Sequence, residues 1–183
     1  MAHEFSKYKK LGGAYHWDPK KAGPDYLRHV NNVVEWITEN SVLDIGGGDG
    51  YICHRLREAG HEVLIIDNEP YAIELATEKG QPCLEADIYN LPLEVTERQW
   101  DAIYLGDIIE HLDEPAKAIK VCGELTDVLY IATPPAKING QFNSVYHTME
   151  FTPFQLRKFM RDLGWTQTML IVKNYRIFAR YVK

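Results

Sequence analysis

Short apolar runs alternating with amphipathic stretches predict an α/β protein built on a mostly parallel sheet. Three observations carry the prediction. Strand-like runs recur with helix-like segments between them, which argues for parallel strands joined by right-handed crossovers. Two of those segments begin at a proline and run to a glycine, the usual asymmetry of helix ends. The tail then breaks the rhythm with two consecutive alternating runs, an antiparallel pair closing one edge of the sheet.

Taken in order, "DYLRHVNNVVEWITE" reads as an amphipathic helix packed ahead of the first strand, "SVLDI" (41–45). "YICHRLREAG" follows as a helix with apolar positions 52, 56 and 59 on one face and Gly60 as its stop. "HEVLIID" (61–67) is the second strand, and "PYAIELATEKG" is a helix from Pro70 to Gly80. "PCLEA" (82–86), "WDAIYL" (100–105) and "DVLYIAT" (127–133) are further strands, and "EPAKAIKVCG" is a helix with Pro115 in and Gly123 out. "TPFQLRKFMRDLG" is a last helix before "WTQTMLIVKN" and "YRIFARYVK", which are separated by little more than Asn174.

At 183 residues, 45% hydrophobic and 25% charged, the chain has the bulk and composition of one globular domain. No apolar run approaches the roughly 18 residues of a membrane span, and the first segment lacks the apolar core of a secretory signal. Cys53, Cys83 and Cys122 show no metal or redox spacing and read as reduced structural thiols in a cytoplasmic compartment. Charge is unevenly spread. Residues 29–150 hold seven Lys/Arg against twenty-two Asp/Glu, whereas residues 151–183 hold seven against one. An acidic middle is a poor surface for a phosphate backbone and suits a cationic ligand.

"VLDIGGGDG" (42–50) is the most informative stretch. A strand runs into Asp44, then Gly46, Gly48 and Gly50 at alternate positions, then a helix. Glycines there let the backbone turn and approach a ligand closely, and the helix beyond offers free N–H groups. The GK[ST] ending of a phosphate-cradling loop is absent. Tyr51 stands where a dinucleotide fold prefers its last glycine. Asp67 ends the second strand about twenty residues past the loop, where a carboxylate accepts ribose hydroxyls. "EADIYNLP" then places Asp87 after the third strand.

With "IIDNEP" and "AIYLGDIIEHLDEP" in the same order, the chain resembles the class I S-adenosylmethionine-dependent methyltransferases from about Val42 onward. The resemblance implies a Rossmann-like seven-stranded sheet of order 3-2-1-4-5-7-6, mostly parallel with an antiparallel last strand and helices on both faces. It implies one methyltransferase domain over residues 1–183, with residues 1–40 forming an arm and helix over the cofactor pocket. Carried over by position, Asp44, Gly46, Gly47, Gly48 and Gly50 hold the methionine part of the donor. Asp67 with Asn68 binds ribose, Asp87 with Ile88 holds adenine, and Gly106, Asp107 and Ile108 line the far wall. Asp49 adds to the negative rim suited to a sulfonium cation. In "GGAYHW" (12–17), Tyr15 or Trp17 is placed to meet that cation by cation–π attraction, the competing reading being a frayed arm.

"GDIIEHLDEP" (106–115) gathers Asp107, Glu110, His111 and Asp113 after the fourth strand. On a helix starting near Asp107, residues 107, 110 and 111 share one face. Three readings stand: Glu110 and His111 order the pocket mouth; His111 is a base toward a substrate hydroxyl or amine; or the group holds a divalent metal. The spacing does not favour a metal, but it defines the ligand set of one, Asp107, Glu110, His111 and His147. His147 comes from "YHTMEFT", similar to a run that supplies a histidine ligand in small-RNA 2′-O-methyltransferases. Such mixed O/N ligation suits Mg²⁺, Mn²⁺ or Zn²⁺. His147 is also a second catalytic candidate, on the longest irregular segment (134–151), which reads as the substrate-facing loop.

The expected function is methyl transfer from S-adenosylmethionine to an oxygen or nitrogen of a small molecule. Nucleic acid is the less favoured acceptor and no membrane is expected. Alternatives are a metal-assisted RNA 2′-O-methyltransferase, an NAD-dependent oxidoreductase and a non-catalytic nucleoside-binding protein.

Overall fold

A computed structural model describes residues 7–137, 139–173 and 175–183. Asn174, read above as the break between the last two strands, lies outside the described residues. Helices are α1 (Lys7–Leu11), α2 (Pro19–Ala22), α3 (Pro24–Trp36), α4 (Tyr51–Glu58), α5 (Pro70–Glu78), α6 (Leu93–Thr96), α7 (Pro115–Leu125) and α8 (Pro153–Asp162). Strands are β1 (Ser41–Ile45), β2 (Glu62–Asp67), β3 (Cys83–Glu85), β4 (Ala102–Gly106), β5 (Val128–Thr133), β6 (Thr166–Lys173) and β7 (Arg176–Val182). They form one seven-stranded sheet in the order 3-2-1-4-5-7-6. Pairing is parallel from β3 to β5, and β7 runs antiparallel to both β5 and β6. The implied topology is therefore the one observed.

The sheet is covered on both faces, which explains its nearly unbroken apolar strands. One face packs Leu43, Ile45, Ile103, Leu105, Leu129 and Ile131 against Ile119 and Cys122 of α7 and Leu156 and Met160 of α8. The other packs Val42, Ile65, Tyr104 and Tyr130 against Val33 of α3, Cys53 and Leu56 of α4 and Ala76 of α5. Each side chain fully buried this way contributes about 1.5–3 kcal/mol of transfer free energy.

Two helix readings are corrected. The inward face of α4 is Ile52, Cys53 and Leu56, while Ala59 is exposed because the helix has ended at Glu58. Helix α7 runs through Gly123 to Leu125 instead of stopping there. Gly123 is small for packing reasons: a Cβ would lie 2.9 Å from Lys183 Cε and 3.3 Å from the Trp165 ring.

Thr152 caps α8 by accepting from the Gln155 amide, while the Gln155 side chain accepts from the Thr152 amide. This reciprocal cap fixes where the irregular segment ends.

Candidate functional site

Asp44 enters the site at the carboxyl end of β1, paired in register with Ile65 of β2 and Tyr104 of β4. Its side chain is 2% exposed, and Oδ2 has no hydrogen-bond partner among the described residues. Burial first, and then the Asp67 carboxylate, push its pKa up to about 7. The glycine loop wraps over this oxygen. A Cβ on Gly47 would lie 2.8 Å from it, and Gly46, Gly48 and Gly50 all take positive φ. The Gly48 amide donates to Asp67 Oδ2 at 2.9 Å, and the Glu69 amide donates to Oδ1 at 2.9 Å. Thus β1, its loop and the end of β2 are locked together.

Two further pieces lie on the loop. Ile108 covers Gly46, where a Cβ would fall 2.0 Å from Ile108 Cδ1, and the Tyr8 hydroxyl covers Gly48 in the same way. The arm is ordered against the loop through Asp49. The Asp49 amide donates to the Tyr8 hydroxyl at 3.1 Å, its carbonyl accepts from Trp17 Nε1 at 2.8 Å, and its carboxylate meets His16 at Nδ1 and at the amide. Tyr15 is buried, its ring tilted against that of His16 with centroids 3.9 Å apart, and packed with Tyr8. Trp17 instead packs against Tyr51 and His54.

Asp87 is exposed and closes its own turn by accepting from the Tyr89 amide at 3.0 Å, while Ile88 is buried in the core. Asn68 sits in the turn after β2, between Asp67 and Glu69. Gly106 ends β4 with no room for a side chain, since a Cβ would lie 2.5 Å from the Tyr104 hydroxyl.

The acidic–histidine stretch differs from expectation. Asp107 does not start a helix; it holds φ 55°, and only Ile109–His111 form a 3₁₀ turn. Its amide donates to the Ala132 carbonyl at 2.8 Å, and its carboxylate is bound by Arg176 of β7. Asp107 therefore leaves the expected ligand group. One ligand atom each from Glu110, His111 and His147 lie within 4.8 Å of one another, close enough to hold a metal ion together.

Glu110 is 1% exposed, accepts from Thr133 Oγ1 at 2.8 Å, and has its pKa pushed up to about 8 by burial and then by Asp107. His147 is fixed by Glu150, whose Oε1 lies 2.5 Å from Nδ1, so Nε2 is its free ring nitrogen. The Thr148 amide donates to the Glu110 carbonyl at 2.8 Å, pinning this loop to the 3₁₀ turn.

These groups open into a cleft of about 630 Å³, whose lining includes Lys10, Tyr26, Asp107, Glu110, His147 and Arg176. Asp107 thus joins the glycine-loop half of the site to the cleft. Residue-level reading missed Arg176, Tyr26 and Lys10, which carry no local motif. Glu150 was legible, three residues after His147 in "HTME".

A family profile described as a methyltransferase domain matches residues 43–126, the segment carrying the loop and both downstream acidic strand ends. The chain is similar in sequence and fold to the class I S-adenosylmethionine-dependent methyltransferases. It is 27% identical over 138 residues to a ubiquinone biosynthesis O-methyltransferase of Nitrosomonas europaea, covering 67% of this chain and 57% of that one. The chain spans somewhat over half the length of such curated relatives. Its fold is similar to magnesium protoporphyrin IX methyltransferase from Synechocystis with bound S-adenosylmethionine, with a TM-score of 0.71 and 17% identity over 100% of this chain and 92% of that one. It is also similar to a small RNA methyltransferase, with a TM-score of 0.70 and 14% identity over 86% of this chain and 25% of that one. No helix among the described residues is long and apolar enough to cross a membrane.

Proposed function

We propose that the protein transfers a methyl group from S-adenosylmethionine to an oxygen or nitrogen of a small-molecule acceptor. The observation that carries this reading is the unpartnered, buried Asp44 carboxylate oxygen beneath a loop open only to glycine. A cationic ligand relieves that burial, and a sulfonium with an ammonium group is such a ligand. When bound, the donor supplies an electrophilic methyl group.

Residues toward the donor are those of the glycine loop with Asp44 for the methionine part, and Asp67 with Asn68 for the ribose. Asp87 and Ile88 serve the adenine, Gly106 to Ile108 form the far wall, and Tyr15 lies in the roof. One domain serves the reaction, with residues 1–40 as its cover. The protein's task is alignment and exclusion of water. His147, oriented by Glu150, takes a proton from the acceptor at Nε2, and His111 lies beside it with ring centroids 4.7 Å apart.

Calorimetry with S-adenosylhomocysteine and with NAD tests the donor assignment. Saturable binding of the first alone is expected. Binding of NAD without the nucleoside thioether overturns it, and donor binding without turnover on any acceptor favours a binding protein.

A second reading, in which a divalent ion assists the transfer, is favoured by the converging Glu110, His111 and His147. Carboxylate support of His147 by Glu150 matches how metal-bound histidines are held. Titration with Mn²⁺ or Zn²⁺ decides it: stoichiometric binding lost in His147→Ala supports the ion, and no binding to the wild type removes it.

A further inference from the structure

We infer that Arg176 is a charge-reading positioning residue: it holds the Asp107 carboxylate while the donor site is empty or carries a neutral thioether, and yields it to a sulfonium. The inference rests on the methyl-transfer reading and gives that site a means of telling the donor from its spent product. Among the described residues, Asp107 and Tyr175 are the two non-glycine residues with positive φ, at 55° and 58°. One is a member of the Asp107–Arg176 ion pair, and the other directly precedes Arg176. Such a backbone is unfavourable for a residue with a Cβ, and strain of this kind concentrates where a fold holds a working geometry. Here it stands at both ends of one contact.

The pair also stands between the two halves of the site. The Asp107 amide is tied to the Ala132 carbonyl at 2.8 Å, which leaves the side chain as the part that can turn. The next residue, Ile108, covers Gly46 of the loop, while Asp107 and Arg176 both line the cleft. Their charges reach the surrounding buried groups. Burial above all raises the pKa of the Tyr15 phenol in the roof, with Asp49 and Asp107 adding to the rise and Arg176 opposing it. Burial likewise lowers His29 of α3 to about 4, with Arg176 adding to the fall and Asp107 opposing it.

An exchange of partners is cheap at this contact. Each residue is the other's one ion-pair partner among the described residues. Arg176 is 26% and Asp107 36% exposed, so the contact is screened by solvent and adds little to stability. A sulfonium in a water-excluded pocket competes with the guanidinium for the same carboxylate. On transfer the C–S bonding pair stays with sulfur, the acceptor's lone pair forms the new bond, and the acceptor's proton goes to His147 Nε2. Sulfur is then neutral, and Asp107 returns to Arg176. A ligand shifts an equilibrium only through its different affinity for the two states, and donor and product differ here by one charge.

Calorimetry on the full chain with S-adenosylmethionine and with S-adenosylhomocysteine, at low and high salt, tests this. Arg176→Gln should tighten S-adenosylmethionine roughly three- to fivefold and leave S-adenosylhomocysteine within about twofold of the wild type. Arg176→Lys, which keeps the charge, should bring the ratio of the two affinities back toward the wild-type value. Asp107→Asn, tolerated at positive φ, should weaken S-adenosylmethionine selectively and cancel the effect of Arg176→Gln in the double variant. High salt should narrow the difference between Arg176→Gln and the wild type. A merely structural role would move both ligands together. Equal shifts of the two ligands in Arg176→Gln, or in Asp107→Asn should the former not fold, overturn the inference, as does additivity in the double variant. Failure of the wild type to bind either ligand overturns the methyl-transfer reading itself, so the two failures are distinct.

Discussion

Nδ1 of His16 lies 2.9 Å from Oδ1 of Asp49, tying the amino-terminal arm to the middle of the glycine loop. The Asp49 side chain is 1% exposed, so this contact is shielded from solvent. Asp49→Ala removes it together with the acceptor for the His16 amide, while both main-chain links to Tyr8 and Trp17 remain. Losing these buried acceptors should weaken arm docking by about 1–3 kcal/mol. Trypsin cleavage after Lys20 and Lys21 should then accelerate severalfold. Unchanged protection would show that the arm is held elsewhere.

Asp44 predicts a pH dependence. Its folded pKa of about 7 lies above the ordinary carboxylate value, so between roughly pH 4 and pH 7 the folded protein holds a proton that the unfolded chain does not. Stability from this group is therefore fully present below pH 4 and is lost as pH rises through 7. Asp44→Asn should be more stable than the wild type at pH 8, by a few kcal/mol at most, with the gap closing toward pH 4. Thermal melts across that range check it. Donor binding should also release protons near pH 7, seen as a calorimetric enthalpy that changes with the buffer's ionisation heat.

Gly48 predicts a steric coupling. A Cβ there would lie 2.0 Å from the Tyr8 hydroxyl, at φ 58°. Gly48→Ala should cost about 1–3 kcal/mol through overpacking and backbone strain. Tyr8→Phe removes the colliding oxygen, so the double variant should recover part of that loss in a double-mutant cycle. Additive losses would mean that Tyr8 yields at no cost.

Arg176 predicts a gain of affinity. Its guanidinium occupies the Asp107 carboxylate on the wall shared by the loop and the cleft. The pair is partly exposed, so Arg176→Ala should cost stability only about 1 kcal/mol or less. Freed from a competing cation, Asp107 should let S-adenosylmethionine bind severalfold more tightly. Weaker binding in Arg176→Ala would show that the arginine itself supports the donor.

The sheet was legible because strands buried on both faces write themselves as apolar runs, as in Val63 to Ile66 and Ile103 to Leu105. Asp44, Asp67 and the glycines were legible because a backbone turning under a ligand leaves a local pattern. Asp107 was misplaced on a helix because its positive φ accompanies bonds to Ala132 and Arg176, residues remote in sequence. Gly123 was misread as a stop because the reason for its size is the side chain of Lys183, sixty residues later. Arg176 left no trace because only the antiparallel pairing of β7 with β5 brings it to the site. Side-chain partners separated by most of the chain have no period or motif to announce them.

That antiparallel strand also separates two kinds of inheritance within the chain. Residues 43–126 carry the loop and its acidic strand ends, and they are the part that matches the methyltransferase-domain profile. The cleft takes Lys10 and Tyr26 from before that segment, and Tyr146, His147, Tyr175 and Arg176 from after it. On the proposed reading, donor chemistry and the choice of molecule to modify are thus held in different stretches of sequence. Either end could then drift toward a new acceptor while the proposed donor cradle stays as it is.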